Sequence, residues 1–298
     1  MKKLLLIIAI GMFSNSFAQG CSDAGICSIG NSFQTTDKES KNGIEAGTIF
    51  GTGEADVTYI SPYLNYTRTI NERLSLSSKI TYSVTSGNFG QRGAFSDVFL
   101  IGNYNWKPKT NRKWSSLIGF KIPFTSSNLK INEFSLPLDY QSSLGTFDLI
   151  AGLNLNYKKW DFNIAVQIPV FNNNKNSYFR EFSNTDDFPS TNLFERKSDA
   201  LFRTTYTFQT ATKKFTFKPN VLFIYHLGED SFENAFGDRE TIKNSDGLTI
   251  NGNIIGSYAI NTKNTIELSL AAPFVVREVR PDGLTRKFTA GIIYKVSF

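Results

Sequence analysis

The C-terminal stretch FTAGIIYKVSF alternates between apolar and mostly polar side chains with a period of two. Successive side chains of a β-strand point to opposite faces, so the pattern predicts a strand with one wholly apolar face. That face holds, in order, Phe288, Ala290, Ile292, Tyr294, Val296 and Phe298. Whether it meets lipid or a protein core depends on the rest of the chain.

The same alternation recurs through the chain, for example in WDFNIAVQIPV and TIELSLAAPFVV. Such lengths fit the roughly 9 to 11 residues that a tilted strand needs to cross a bilayer, and exceed the 5 to 6 or so of soluble strands. The pattern predicts about 12 strands, over residues 43–51, 57–70, 73–85, 95–106, 113–124, 145–157, 160–170, 199–210, 214–227, 246–260, 265–276 and 286–298.

The connections between these segments alternate between tight turns and long polar stretches such as residues 125–144, 171–198 and 228–245. Short turns on one side and long loops on the other are typical of outer-membrane barrels. A soluble β-sandwich would not need aromatic residues near the strand ends, as at Trp106, Trp114, Tyr157, Trp160, Tyr258 and Tyr294. We therefore predict an all-β fold, a transmembrane antiparallel up-and-down barrel with long extracellular loops and short periplasmic turns.

The N-terminus predicts export. Lys2 and Lys3 precede a short apolar run, and Ser16-Phe17-Ala18 forms a small-x-small cleavage site. The chain thus divides into a signal peptide at 1–18, a periplasmic or plug segment at 19–42 and a barrel at 43–298, and the expected location is the outer membrane. The net charge of +6 is too small to argue for a nucleic-acid partner.

The N-terminal segment carries the two cysteines, Cys21 and Cys27. An exported chain meets an oxidising compartment, so we predict a disulfide between them, with a lipid on Cys21 as the alternative. A metal site is not expected there, because two thiols without a nearby histidine leave a tetrahedral ion short of ligands.

Charged residues lie on the strand face opposite to the apolar one, and these would line the barrel interior. Asp97 and Asp148 would be structural first and gating second, and His226 is the one histidine of the chain. Without a nucleophile elbow near His226, the sequence predicts neither an enzyme nor a cofactor. These residues either fill the barrel as a satisfied polar core or form a conduction surface that includes Arg73, Lys79, Lys121, Arg203 and Lys218. The full set is Glu45, Arg73, Lys79, Asp97, Lys121, Asp148, Asp161, Arg203, Lys218, His226, Glu267 and Lys295.

Three stretches carry a resemblance to a known family: FSDVFLIGNYNW (95–106), LIGFKIPFTSSN (117–128) and GTFDLIAGLNLNY (145–157). They resemble the outer-membrane family described as phenol-degradation meta-pathway transporters, which carries similar Gly-Asp, Gly-x-Lys-x-Pro and Gly-Ser-x-Asp patterns. Ser96 departs from the first pattern, which prefers Gly. The resemblance implies a barrel similar in style to channels for fatty acids and aromatic hydrocarbons.

Two functions are consistent with these features. The first is a channel for small, perhaps hydrophobic, solutes, and the second is a non-conducting barrel whose loops serve as a surface binding or structural module. The expected partners are outer-membrane lipid, a small-molecule solute and the barrel-assembly machinery. The last of these would be engaged through the C-terminal strand ending at Phe298, which resembles the insertion signal of bacterial outer-membrane barrels.

Overall fold

The computed structural model describes residues 41–107, 111–283 and 286–298. The predicted signal segment, nearly all of the 19–42 segment and the cysteines Cys21 and Cys27 lie outside the described residues. The domain limits at the N-terminus and the disulfide therefore stay predictions.

The described chain consists mainly of long antiparallel strands. In chain order they are β1 (Asn42–Thr52), β2 (Thr58–Thr69), β3 (Leu74–Gly87), β4 (Gly90–Asn105), β5 (Arg112–Pro123), β6 (Lys130–Ile131), β7 (Phe134–Ser135), β8 (Thr146–Tyr157), β9 (Trp160–Asn172), β10 (Asp199–Tyr206), β11 (Phe208–Gln209), β12 (Phe215–His226), β13 (Ser231–Glu233), β14 (Arg239–Thr241), β15 (Gly247–Ala259), β16 (Asn264–Val275) and β17 (Phe288–Ser297).

The long strands form one closed barrel. β10 and β11 are two parts of the same wall strand, and the pairs β6–β7 and β13–β14 are small hairpins within loops. The wall therefore has 12 strands, each antiparallel to the next, and β17 pairs with β1 to close it. Asn42 and Phe298 exchange backbone hydrogen bonds, both of 2.9 Å, at the seam. The predicted fold is confirmed.

The apolar side chains of each strand face the outside of the barrel. All six aromatic residues predicted at strand ends, from Trp106 to Tyr294, are exposed there, next to the short turns. Neighbouring rings contact one another, as where Trp160 meets Tyr206 edge to face at 4.8 Å between centroids. Such a band of aromatic side chains is typical of a membrane interface. Within the described ranges, no helix has the length and apolar content that crossing a membrane requires.

The loop asymmetry is less regular than the sequence predicts. Connections at one barrel end are short, but the opposite end combines four long loops with two short ones, at 53–57 and 88–89. β4 begins at Gly90 rather than at residue 95, because Gly90 adopts a positive φ of 104° and turns the chain in a tight hairpin. The four long loops comprise residues 124–145, 173–198, 227–246 and 276–287.

The long loops fold over the barrel mouth around apolar cores of their own. One core joins Tyr140 to Phe188, and a second joins Leu144 to Phe194. Phe182 and Phe236 instead remain exposed at the loop surface. Phe188 and Phe194 thus pack the loops, as compact long loops require.

Candidate functional site

The barrel interior is filled unevenly around its circumference. The side of β4 to β12 is packed with an apolar cluster of seven buried residues: Phe99, Ile101, Leu117, Ile150, Ala165, Leu201 and Leu222. On β15, β16 and β1, interior side chains such as Ser257, Ser269 and Glu45 keep partial exposure to solvent. Any path through the barrel therefore runs beside β15, β16 and β1.

A buried ion cluster lies within the packed side. The Nζ atom of Lys121 is 2.9 Å from Asp148 Oδ2 and 4.0 Å from Asp97 Oδ2, and all three side chains are inaccessible to solvent. Lys121 also donates to Thr146 Oγ1 at 2.9 Å, and Gln167 donates to Asp148. These charges are paired and hydrogen-bonded out of water, and the structural role of Asp97 and Asp148 stays a prediction.

A second ion cluster faces the partly exposed side. Lys295 Nζ lies 3.1 Å from Glu267 and 3.5 Å from Glu45, so three wall strands are joined by one ammonium group. Ser257 Oγ donates to Glu267 at 3.0 Å. Lys295 and Glu45 keep about a fifth of their side-chain surface exposed (19% and 21%), so water reaches these charges.

Polar side chains connect the remaining predicted interior residues. Arg203 Nε donates to Asn163 Oδ1 at 2.9 Å, and Asn163 in turn donates to Asp161 at 3.0 Å and Asn154 at 2.7 Å. Lys218 occupies an interior position of β12 and is partly exposed. Arg203, Asp161 and Lys218 are thus on the predicted face of the wall.

Two cations lie on tyrosine rings along β2. Lys79 Nζ is 4.2 Å from the ring centroid of Tyr63, and the guanidinium carbon of Arg286 is 3.0 Å from that of Tyr59. The rings rest on glycines of β1, where a Cβ atom on Gly51 would come within 1.8 Å of the Tyr59 hydroxyl oxygen. Glycine on one strand therefore lets the ring lie flat against the wall.

Arg73 is the one predicted interior residue that the structure places elsewhere. It is exposed in the turn between β2 and β3, where its Nη1 donates to the Tyr104 hydroxyl at 3.3 Å. Tyr104 belongs to the outward aromatic band. β3 begins at Leu74, one residue later than the alternation predicts, so Arg73 lies on the outside of the barrel at the short-turn end. The prediction that Arg73 lines the lumen is corrected.

At the loop end of the barrel, His226 is held between two carboxylates. Its Nδ1 lies 2.6 Å from Asp199 Oδ1 and its Nε2 lies 2.8 Å from Asp230 Oδ1. Ionised carboxylates only accept hydrogen bonds, so both ring nitrogens donate and the ring is an imidazolium. Both ring nitrogens are thus engaged by carboxylates rather than by a nucleophilic side chain.

Two arginines and a third carboxylate complete this cluster. Arg277 lies 2.5 Å from Asp282 and 3.8 Å from Asp230, and Arg196 pairs with Asp199. With the imidazolium, three positive groups balance three carboxylates. Burial alone would raise the pKa of the Asp282 carboxyl, but the guanidinium groups of Arg277 and Arg196 lower it below its ordinary value.

This mouth cluster joins three long loops to the wall. Arg196 belongs to the 173–198 loop, Asp230 to the 227–246 loop, and Arg277 and Asp282 to the 276–287 loop. Arg280 of the same loop also pairs with Glu54 in the neighbouring turn between β1 and β2. Of the mouth-cluster residues, only His226 is predicted from the sequence, because aperiodic loop segments give no signal of which charges meet in space.

Comparisons with known proteins concern the fold. No family profile matches the chain and no curated protein matches it. A solved outer-membrane channel from Pseudomonas putida F1 matches with a TM-score of 0.57 and 12% identity, covering 89% of this chain and 100% of that one. The translocator domain of the autotransporter NalP from Neisseria meningitidis gives 0.51 at 7% identity, covering 92% and 93%.

A monoaromatic hydrocarbon channel, CymD, also matches, with a TM-score of 0.43 and 10% identity, covering 97% of this chain and 96% of that one. At such identities the likeness establishes an outer-membrane barrel fold and nothing finer. The resemblance to the phenol-degradation family is not confirmed.

Proposed function

We propose that this protein is an outer-membrane channel for small solutes. The observation that carries the proposal is the uneven interior, in which side chains of β15, β16 and β1 keep solvent access while the opposite side is packed. A barrel that served only as a scaffold would gain by filling this space, since cavities cost stability. The solved channel from Pseudomonas putida F1, similar in fold, supports the same function.

The barrel size and the folded loops make this a narrow and selective path. Twelve strands enclose less space than the 16 to 18 or so of open porins, and the apolar cluster fills the interior beside β4 to β12. The resemblance to the phenol-degradation family favours hydrophobic solutes. The charged and amide side chains beside the open space favour polar ones.

The second candidate is a non-conducting barrel whose loops form a surface module. The mouth cluster favours it, because six charged side chains tie three loops across the barrel end. The two functions differ in whether water and solute cross the barrel at all.

A pair of variants on β16 separates them. Ser269 points into the open space and Leu268 points outward with 57% of its surface exposed. Ser269→Trp should narrow the path and slow solute uptake into liposomes containing the refolded protein. Leu268→Trp should leave uptake unchanged, because the new ring stays outside the barrel. If liposomes with the unmodified protein take up no solute, the result would support the surface module instead.

A further inference from the structure

The four long loops share one apolar core at the mouth end of the barrel. Each loop contributes to it: Leu138 and Leu144 from 124–145, Phe194 from 173–198, Ile242 from 227–246 and Val279 from 276–287. Because the loops pack on a common core, they form a single cap. A solute that enters or leaves the barrel at this end must pass the cap.

The open space beside β15 and β16 is closed beneath the cap. Asn253 and Ser269 keep partial exposure, but Asn251 and Pro273, which lie nearer the mouth on the same strands, are buried. Both polar atoms of the Asn251 amide group lack a hydrogen-bond partner among the described residues. A buried polar group without a partner is costly. Asn251 thus carries a cost in this arrangement that water would remove if the cap moved away.

Two segments of the cap adjoin this closed end. The 227–246 loop immediately precedes β15, and residues 276–283 immediately follow β16. Arg277 Nη1 donates to the Ser245 carbonyl oxygen at 2.7 Å and lies 3.8 Å from Asp230 Oδ2. The two segments are therefore joined to each other at the mouth ends of β15 and β16.

His226 ties the 227–246 loop to the wall through Asp230, and it is the mouth-cluster residue whose type ordinarily changes charge between about pH 5 and 8. The charged groups around it are Asp199 of β10, Asp230, Arg196 of the 173–198 loop, and Arg277 and Asp282 of residues 276–283. With the ring protonated, three positive groups balance three carboxylates. Without that proton, one negative charge is uncompensated in a site almost closed to solvent.

The direction of the response follows from the two contacts of the ring. Its nitrogens lie 2.6 Å from Asp199 and 2.8 Å from Asp230, and both carboxylates favour the protonated form. When the proton is lost, one nitrogen becomes an acceptor that faces a carboxylate oxygen, and the contact becomes repulsive. The closed arrangement therefore binds a proton that the open one releases, so low pH favours closure and rising pH favours opening.

We propose that the cap is a pH-controlled gate. The protonated ring of His226 holds the 227–246 loop over the open space beside β15 and β16. Loss of the proton in an alkaline medium releases the loop and opens the path at the mouth. This inference rests on the proposed function, and it adds a control on when solutes pass.

The time-averaged current through the refolded full chain in a planar lipid bilayer, recorded at pH 6 and pH 9, tests the gate. One proton can change an equilibrium by up to about tenfold per pH unit, so the current should rise at least about tenfold. A current that is equal at the two values, or larger at pH 6, would overturn the proposal.

Variants assign the response to the ring. His226→Arg keeps a positive charge at both pH values and should give the small current at both, whereas His226→Gln carries no charge and should give the large current at both. Heat-modifiable gel migration shows whether each variant is folded. A pH-dependent rise that persists in either folded variant would contradict the assignment.

Asp139→Asn is the matched control, because burial raises the pKa of this cap carboxyl to about 7 and it too changes charge between pH 6 and pH 9. The rise in current should persist in this variant. Its loss would show that Asp139, rather than His226, carries the response.

Hydrogen exchange of the 227–246 amides, corrected for the intrinsic exchange rate, separates the gate from the channel. Protection should fall between pH 6 and pH 9 in the unmodified protein but not in His226→Arg. If the protein conducts while neither current nor protection depends on pH, the gate is wrong and the channel stands. If protection falls as expected but no current appears at either pH, the release of the loop stands and the channel is wrong.

Discussion

Nε2 of His226 lies 2.8 Å from Oδ1 of Asp230, and this contact joins the end of a wall strand to the loop that follows it. The other ring nitrogen contacts Asp199 at 2.6 Å, so one imidazolium holds two carboxylates in a site that is almost closed to solvent. Its removal would leave the mouth cluster with an excess negative charge.

We predict that His226→Leu loosens the 227–246 loop while the barrel still folds. Asp199 and Asp230 would then lie close together with less compensating charge, and buried groups that lose a partner are strongly destabilised. Trypsin cleavage after Arg239 and Lys243 in proteoliposomes should accelerate by at least about tenfold.

Glu229→Gln provides the control for this loop. Glu229 pairs with Lys243 at 3.3 Å in an exposed position, where an ion pair contributes little. If Glu229→Gln and His226→Leu accelerate cleavage equally, the mouth cluster does not hold the loop.

A second prediction concerns the charges beneath the loops. Lys121→Met removes the ammonium group between Asp97 and Asp148 and leaves two buried carboxylates without compensation. The free energy of unfolding should fall by about 3 to 5 kcal/mol. Guanidinium unfolding of the protein in detergent micelles, followed by tryptophan fluorescence, measures the change.

Lys113→Met on the same strand is the comparison. Lys113 is exposed at the turn end of β5, so its replacement should change the unfolding free energy by less than about 0.5 kcal/mol. A loss of similar size at both lysines would show that the effect comes from net charge rather than from the buried cluster.

The direction in which side chains face is tested on β16. Leu270→Arg would place a charge on the outward apolar face and should cost about 2 to 4 kcal/mol near the bilayer midplane. Ser269→Arg, one residue away, would place it inside beside Glu267 and should be tolerated. The fraction folded in lipid, read from heat-modifiable migration, should differ sharply between the two. Equal folded fractions would contradict the assigned facing.

Asn163 and Ser115, which also face the interior, are unsuitable for such a comparison. Both face inward, but Asn163 is fully buried among Asn154, Asp161 and Arg203, and Ser115 is 5% exposed. An arginine at either position would displace packed neighbours, so poor folding would not report on facing.

The 124–145 loop should respond to pH through Asp139, which lies outside the wall strands. Burial raises the pKa of this carboxyl from 3.8 to about 7. The folded loop therefore binds more protons than the unfolded loop between these values, so its stability falls as the pH rises through this window and is lowest above it.

Hydrogen exchange of the loop amides at pH 6 and pH 8, corrected for the intrinsic exchange rate, measures this dependence. Protection should be greater at pH 6 in the unmodified protein. Asp139→Asn should show the same protection at both values. If the unmodified protein is better protected at pH 8, the carboxyl is ionised in the folded loop and the argument is wrong.

The wall could be predicted from the sequence because each strand has one face toward an apolar surrounding. This requirement imposes a period of two on every crossing segment, as in β9 and β17, and strand limits follow within a few residues. The sequence does not predict the hairpin before Gly90, because β3 and β4 continue past the apolar band, where nothing enforces the alternation.

The interior could be predicted only in part. The alternation along each strand predicts that Lys121, Asp148 and Glu267 face the interior. It does not predict which charges contact each other, since their partners come from other strands. The loop residues Arg196, Asp230 and Asp282 gave no signal, because no period governs them. The prediction that Arg73 lines the lumen is wrong because this residue lies in a turn, where the alternation of strand faces does not apply.

The central claim is that water and small solutes cross this barrel beside β15, β16 and β1. Single-channel recording of the refolded full chain in a planar lipid bilayer tests it most directly. The account predicts small, discrete conductance steps that Ser269→Trp reduces and Leu268→Trp leaves unchanged. A silent bilayer despite correctly folded, inserted protein would contradict it, as would equal effects of the two tryptophans.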